Sequence, residues 1–373
     1  MRIGLLAENL GAFPAGMPMT AAALMKHSGH NLGNFAFWHA SAAMLAQEPV
    51  LVPFRARAED YLDRIDALVI AAANWLNGRQ DFGWLADLIE GLDVPVVVLG
   101  LGAQADEETR IPELTPGSVR FLQAAAAHGP DLAVRGPFSA EVCRAHGVDQ
   151  VAALGCPSLF LNPDPELGRK VAARWAQLPL RVVQACCATR PASRAVERAL
   201  FAATREEAGR FYVCQAPLEW LRVYLAEQRP GAGPAIEALH RYLAPELAFA
   251  DFAALLRFRT QVPHSIPAWL HLLRGCSHTL NTRIHGSMIA LAAGVPTLCL
   301  THDTRTRELC QRLAVPAIAV DQVQSVGVEE LFASTAFDGE AFDANRAELA
   351  ARYRELFAAV QVPLGPRLPR LAA

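Results

Sequence analysis

The sequence predicts an α/β protein in which two open parallel sheets face each other across a cleft. Short apolar runs alternate with amphipathic stretches along nearly all of the 373 residues, a pattern typical of βαβ units. Hydrophobic residues make up 52% of the chain and charged residues 19%, so the chain can bury large cores and lacks the composition of a disordered protein. Asp164-Pro165 interrupts the alternation near the middle and divides it into two halves.

Ten apolar runs, five in each half, have the length and composition of β-strands. They lie at residues 2–6, 50–54, 67–72, 95–100, 132–134, 180–185, 211–215, 279–281, 296–301 and 317–320. Helix signals fall between them. A helix over 137–146 has Pro137 at its first position and Gly147 just past its end, and a helix over 285–293 ends before Gly294.

These elements predict three segments. Residues 1–165 form a first open α/β domain, and residues 178–338 form a second one with a helical insert at 216–274. Residues 339–373 form a long terminal helix and a tail.

Composition and charge exclude several classes of function. The net charge of −3 gives no global basic field to recruit nucleic acid. The two lysines, Lys26 and Lys170, lie outside any G-x-x-x-x-G-K-[ST] loop, which excludes an ATPase or kinase of that type. No His/Cys cluster has zinc-ligand spacing, so we predict no metal and no cofactor.

The longest apolar stretches are shorter than the roughly 18 residues that a membrane span needs. Glu8 interrupts the N-terminal apolar run too early for a secretory signal. The eight cysteines are scattered without a C-x-x-C pair, as expected for reduced, buried thiols. We therefore expect a cytoplasmic protein, and leave open a homodimer and a peripheral position at the inner face of the membrane.

The most informative site signal lies where the strand 279–281 meets the following helix. Ligands of open α/β sheets bind at such junctions. Arg283 and His285 face the cleft there, Ile284 lies between them, and Gly286 and Ser287 open the helix beside the ligand. The free N–H groups and positive dipole end of the helix favour an anion. The alternative is that Arg283 pairs with an acid and His285 only begins the helix.

A second junction has an arginine in a similar place. Arg135 follows the strand 132–134, Gly136 makes the turn, and Pro137 begins the next helix. Two guanidinium groups at two sheet edges suit a ligand with two anionic groups. The alternative is a surface arginine that caps a neighbouring carbonyl.

Three further junctions supply weaker candidates for ligand binding. In the first, Asn31 and Gly33 precede Asn34, which is predicted to be the N-cap of a helix after a long loop. The alternative is an ordinary capped helix. In the second, Gly102 allows backbone to approach a ligand that the Gln104 side chain would then hydrogen-bond.

In the third, Asp303 is predicted as an N-cap and Arg305 as a cleft residue, against the alternative of a solvated helix start.

The order of these motifs resembles the polysaccharide pyruvyl transferase family from about Asn31 to Leu313. The most specific part is Arg283-Ile284-His285-Gly286 with the downstream Gly294-Val295-Pro296. Weaker matches are Gly100 to Gln104, Val134-Arg135 with Ser139, and Leu154-Gly155-Cys156-Pro157-Ser158.

The resemblance implies two Rossmann-like domains of the GT-B type, with the acceptor on the first and the donor on the second. It implies phosphoenolpyruvate as the donor, a sugar or glycan as the acceptor, often lipid-linked in such pathways, and no metal. Arg283, the Ile284 backbone and His285 would contact the donor, and Arg135 would complete the anion clamp. His285 would be the acid–base residue, suited to that role by an ordinary pKa near 6.5.

The chain departs from many relatives of that family at two positions. Asn34 stands where many carry Asp, and Arg305 stands where many carry Lys. Both changes bear on the identity of the acceptor more than on the identity of the donor. Two rivals stay open: a sialyltransferase-like glycosyltransferase that uses a nucleotide sugar on the same fold, and a non-catalytic anion-binding relative.

Overall fold

The computed structural model describes residues 1–104, 110–175, 183–186, 193–206, 209–227, 233–323 and 328–368. Within these ranges the chain forms two six-stranded sheets. All the neighbouring strands paired there are parallel. The predicted fold class, two open parallel sheets with helices, is confirmed.

The first sheet has the strand order β2-β1-β3-β4-β5-β6. Its strands are β1 Ile3–Leu6, β2 Val50–Val52, β3 Ala67–Ala71, β4 Val96–Leu101, β5 Leu132–Val134 and β6 Val151–Ala153. The second sheet has the order β12-β11-β10-β7-β8-β9. Its strands are β7 Val183–Cys186, β8 Phe211–Val213, β9 Thr260–Gln261, β10 His278–Asn281, β11 Thr297–Thr301 and β12 Ala317–Ala319.

Helices connect the strands and cover the sheets. In the first half they are α1 Ala21–His27, α2 Asn34–Met44, α3 Gly83–Leu92, α4 Pro116–Ala127, α5 Pro137–Ala145 and α6 Leu167–Trp175. In the second half they are α7 Arg194–Glu206, α8 Leu218–Tyr224, α9 Pro234–Leu243, α10 Phe249–Phe258, α11 Ile266–Arg274, α12 Ile284–Ala292, α13 Thr304–Arg312, α14 Val328–Ala333 and α15 Gly339–Ala359. No helix within the described ranges is both long and apolar enough to cross a membrane.

Alternation along the first sheet divides its side chains between two cores. In β3, Ala67, Val69 and Ala71 face the core that continues into the second half of the chain, whereas Leu68 and Ile70 face a separate core beneath α3 and α4. Because both faces are covered, the strand is apolar throughout its length.

The predicted strands lie within a few residues of the observed ones, with two additions. The structure adds β6 and β9, which sequence reasoning missed because they are three and two residues long and carry weak strand signals. The predicted start at residues 180–182 lies outside the described residues. The segment 216–274 contains α8 to α11 and also supplies β9, the edge strand of the second sheet; its residues 228–232 lie outside the described ranges.

Helix α15 returns to the first half and packs across α6. Gly168 and Gly339 lie at the crossing, and a Cβ on either would collide with the other's carbonyl oxygen. Asp343 accepts hydrogen bonds from the backbone N–H groups of Gly168 at 2.7 Å and Arg169 at 3.1 Å. Buried Arg346 donates to the carbonyl of Asp164 at 2.8 Å. The terminal helix is therefore fixed to the segment that joins the two halves.

We predict that Gly339→Ala destabilises this crossing. The added methyl group meets rigid backbone rather than a flexible side chain, and overpacking of this kind costs about 1–3 kcal/mol. Differential scanning calorimetry should show a thermal midpoint lowered by several degrees. Gly275→Ala is the matched control, because its methyl group would lie 3.5 Å from the nearest carbonyl oxygen. Equal midpoints for the two variants would contradict the crossing.

Candidate active site

The candidate site is a narrow polar cavity between the two halves. It lies beyond the carboxyl ends of strands from both sheets, as expected for ligand sites in α/β folds. Side chains of both halves line it: Asn31, Asn34, Ala73, Asn74, Arg135, Gln215, Arg283, Ile284, His285 and Arg305.

The second half contributes the start of α12. This helix begins at Ile284, three residues after β10 ends, with Arg283 as its N-cap. The Arg283 side chain makes no capping hydrogen bond. The first backbone N–H groups of the helix therefore lie at the cavity together with a guanidinium. Gly286 and Ser287 are buried inside the helix and do not line the cavity.

His285 is buried at the centre of the site. Its ring centroid lies 5.5 Å from that of Phe37, and its Nε2 lies 3.8 Å from the Cys156 Sγ. Burial lowers the pKa of the imidazole well below its ordinary value, and the positive charges of Arg135, Arg305 and Arg283 lower it further. The imidazole is therefore neutral near pH 7 while no anion is bound.

The first half contributes Arg135, which is only 2% exposed. Its Nε donates to the Gly100 carbonyl at 2.9 Å, and its Nη1 donates to the Asn74 Oδ1. Its Nη2 is buried without a hydrogen-bond acceptor among the described residues. A buried guanidinium N–H without a partner is costly. Because Arg135 lines the cavity, we infer that this nitrogen binds an anion there.

Gly102 leaves the space that Arg135 occupies. A Cβ at this position would lie 2.5 Å from the Arg135 Cδ and 3.0 Å from the Asn74 Oδ1. Gly102 therefore lies behind the arginine and does not itself line the cavity. Gln104 also lies outside the lining, and its backbone N–H donates to the Leu76 carbonyl at 3.1 Å.

Arg305 reaches the cavity from the first turn of α13. Asp303 is the N-cap of this helix, as predicted, and accepts from the Thr306 N–H at 2.8 Å. Burial opposes ionisation of Asp303, but Arg305 and His302 together hold its pKa at about 2. The Asp303 Oδ2 lies 3.5 Å from the Arg305 Nη2, so the carboxylate positions this arginine and does not line the cavity.

The loop before α2 differs in one respect from the prediction. The N-cap is Gly33, and Asn34 is already the first helical residue. The Asn34 Nδ2 instead donates to the carbonyls of Ser28 at 2.9 Å and Gly29 at 3.2 Å, which fixes the preceding loop. The Asn31 Oδ1 accepts from the Gly33 N–H at 3.0 Å, so Asn31 closes the turn in place of a capping side chain.

Glu308 of α13 joins the two halves next to the site. Its two carboxylate oxygens accept from the Ser139 N–H at 2.8 Å and the Ser139 hydroxyl at 2.9 Å. Ser139 lies in the first turn of α5, where a negative charge is favourable. Gly136 leaves room for the Glu308 side chain. This contact holds the N-terminus of α5, and with it Arg135, against the second half.

Seven predicted site residues thus line one cavity, namely Asn31, Asn34, Arg135, Arg283, Ile284, His285 and Arg305. Six lie behind or beside it, namely Gly33, Gly102, Gln104, Gly286, Ser287 and Asp303. Sequence reasoning gave no site role to four residues that form or support the site: Asn74, Gln215, Cys156, which stood only within a matching motif, and Glu308. The first three follow β3, β8 and β6, so strand ends were the available signal. Within the described ranges, no group of three His, Cys, Asp or Glu side chains has the arrangement to hold a metal ion.

Comparison with known proteins gives one family. Residues 31–304 match the family model of polysaccharide pyruvyl transferase. No curated protein sequence matches the chain.

Two similar solved structures are a UDP-GlcNAc 2-epimerase from Methanocaldococcus jannaschii and a glycosyltransferase, SnogD, from Streptomyces nogalater. The epimerase has a TM-score of 0.43 and 11% identity over 95% of this chain and 100% of that one. The glycosyltransferase has a TM-score of 0.35 and 16% identity over 99% of this chain and 98% of that one.

We predict that Gly102→Ala weakens anion binding without unfolding the protein. The methyl group would displace Arg135, the buried donor, and should weaken binding of inorganic phosphate about tenfold. Isothermal calorimetry measures this change, with Gly275→Ala as control and circular dichroism as the check of folding. Unchanged phosphate affinity in a folded Gly102→Ala variant would refute the role of Arg135 as an anion ligand.

Proposed function

The chain belongs to the polysaccharide pyruvyl transferase family, and we propose that it transfers the pyruvyl group of phosphoenolpyruvate to two hydroxyls of one sugar as a cyclic ketal. The observation that carries this proposal is the convergence of Arg135, Arg283 and Arg305 on His285 at the start of α12. The cavity has a large excess of positive charge, and its lining includes no carboxylate among the described residues. It suits a small ligand with several negative charges.

Phosphoenolpyruvate has that charge. Its phosphate carries about −1.5 to −2 at pH 7, and its carboxylate adds a further negative charge. Forked guanidinium groups bind both kinds of anion. We assign the free Nη2 of Arg135 and the guanidinium of Arg283 to these anions, together with the N–H groups at the start of α12.

Donor binding would also change the protonation of His285. Burial is the largest cause of its depressed pKa, and the three arginines lower that pKa further. The negative charge of a bound donor compensates the arginines and favours a positive imidazole beside it, which raises the pKa. The imidazole would therefore gain a proton when the donor binds. A protonated His285 is the form that the reaction requires.

In the proposed reaction, His285 gives its proton to the methylene carbon, which becomes the methyl group. The first sugar hydroxyl attacks the adjacent carbon and loses its proton, so that a C–O bond forms. The imidazole of His285, neutral after its donation, takes that hydroxyl proton. The phosphate then leaves with the electron pair of its C–O bond, stabilised by Arg135 and Arg283. The second hydroxyl attacks the same carbon, and its proton leaves with phosphate or through His285.

The first test is calorimetric titration with phosphoenolpyruvate in the absence of metal, beside UDP-glucose and other nucleotide sugars. We expect phosphoenolpyruvate to bind at micromolar to sub-millimolar concentration. Arg283→Ala should lose this binding, whereas Arg352→Ala, an exposed arginine of α15, should keep it. Binding of a nucleotide sugar without phosphoenolpyruvate would refute the proposal in favour of a glycosyltransferase, and binding of neither would favour a non-catalytic relative.

The second test measures the number of protons taken up when phosphoenolpyruvate binds. Calorimetry in two buffers of different ionisation enthalpy should reveal net proton uptake when phosphoenolpyruvate binds near pH 7, because the free His285 is neutral and the bound one is charged. The affinity should therefore rise as the pH falls toward the ordinary pKa of histidine, about 6.5. His285→Gln should abolish the uptake with only a modest loss of affinity.

Once the acceptor is known, the same His285→Gln variant should reduce turnover by about 10²–10⁴-fold. Full proton uptake or full turnover in the variant would remove His285 from the acid–base role.

A further inference from the structure

We call the cavity around His285, where we place phosphoenolpyruvate, the donor cavity. A second, larger pocket adjoins it on the side of the first half. Its volume is about 620 Å³, within the range of sites for small ligands. Six aromatic side chains line it: Phe37, Trp38, Phe54, Trp75, Phe82 and Trp84. The donor chemistry uses none of these six residues.

The aromatic rings form one continuous wall. Phe54 is at its centre, with its ring centroid 6.0 Å from those of Trp75 and Trp84 and 6.4 Å from that of Trp38. Phe82 stacks on Trp75 at 4.8 Å. Phe54 and Trp84 are only partly buried. Their exposed surfaces therefore face the pocket as apolar surface available to a ligand.

The pocket continues into the donor cavity. Asn31, Asn34 and Asn74 line both spaces. Asn74 accepts the hydrogen bond of Arg135, and Phe37 of the aromatic wall contacts the ring of His285. A molecule in the aromatic pocket therefore lies next to the cavity in which we place the donor.

The rim of the pocket carries two exposed arginines, Arg55 and Arg79. Within the described ranges neither guanidinium forms an ion pair. Asp81 also lines the pocket. Its carboxylate accepts from the Gly83 N–H at 2.8 Å, and this bond lowers its pKa, so one negative charge stands against the two arginines. The rim is therefore net positive.

We propose that this pocket binds the acceptor as a sugar that carries a negative charge. One apolar face of the ring stacks on Phe54 and Trp84, its hydroxyls meet the three asparagine amides, and its anionic group reaches Arg55 and Arg79. The identification as the acceptor site rests on the proposed function, whereas the binding of an anionic sugar does not.

The amide groups favour a sugar over a hydrocarbon chain in this pocket. Burying three asparagine side chains against an isoprenoid would leave their free polar atoms without partners, which is unfavourable. A sugar ring has both an apolar C–H face for the aromatic wall and hydroxyls for the amides. The anion itself has two sources, a carboxylate on the ring or a phosphate at the reducing end.

The test is a fluorescence and calorimetric titration of the full chain without phosphoenolpyruvate. Three of the six tryptophans line the pocket, so occupancy should change the emission. The probes are the methyl glycosides of glucose, galactose and mannose, the matching uronic acids, and the matching sugar 1-phosphates. At least one anionic probe should bind, and more tightly than the neutral glycoside with the same ring. Whether the uronic acid or the 1-phosphate is preferred identifies the source of the anion.

Three variants separate the contribution of the aromatic wall to binding from that of the charged rim. Trp84→Leu should weaken binding of neutral and anionic probes alike, by at least about fivefold. Arg79→Gln should weaken only the anionic probe, by about threefold. Trp175→Phe is the control, because Trp175 packs on Phe332 and Phe337 away from the pocket, and it should leave both affinities unchanged.

The proposal is overturned if none of the nine probes binds, if Trp84→Leu binds them as tightly as the parent, or if geranyl phosphate displaces the sugars at equal concentration. Sugar binding in a protein that does not bind phosphoenolpyruvate would uphold the pocket and refute the proposed function. The two failures are therefore distinguishable.

Discussion

The positive charge gathered around one buried imidazole is the constraint on which the rest of the site depends. Arg135, Arg283 and Arg305 all depress the pKa of His285, and Arg135 lies almost wholly out of water. Such a group of cations is unfavourable by itself. The Gly100 carbonyl and the Asp303 carboxylate compensate part of the charge, whereas the positive dipole ends of the helices that begin at the site add to it. In the proposed function, a bound anion compensates the rest.

The charged residues of the site come from both halves of the chain. Arg135 comes from the first sheet and His285 from the second, so neither half contains the whole candidate site. Glu308 and Ser139 join the halves on one side. On the other side, Leu32 donates to the Gln215 carbonyl at 3.1 Å. The two-sheet fold therefore contributes more than a scaffold, because packing between its halves sets the distance between Arg135 and His285.

The sequence predicted the parts of the site that follow a regular rule. Arg283 and His285 were found because they end a strand and begin a helix, and in an open sheet that place faces the ligand. Asn74 carries only a weak form of this signal, and Glu308 carries none. Asn74 follows β3 by three residues in a loop, and Glu308 lies within α13, where an acid resembles any solvated helix residue. Their roles arise from side chains 61 and 169 residues away, a relation that only the tertiary structure contains.

Asn34 bears on how protons leave the acceptor. It lines both pockets, yet its amide cannot take a proton from a hydroxyl, and its Nδ2 is already committed to two loop carbonyls. Among the described residues, no carboxylate lines the donor cavity. Within that cavity, His285 and the phosphate are the groups that can take the proton of the attacking hydroxyl in the proposed reaction. If His285 gives a proton to carbon and takes the next one from the acceptor hydroxyl, one imidazole serves both steps. Its pKa is low in the free site and is raised by the negative charge of the bound donor, so the imidazole gains a proton when the donor binds and can release it during the reaction.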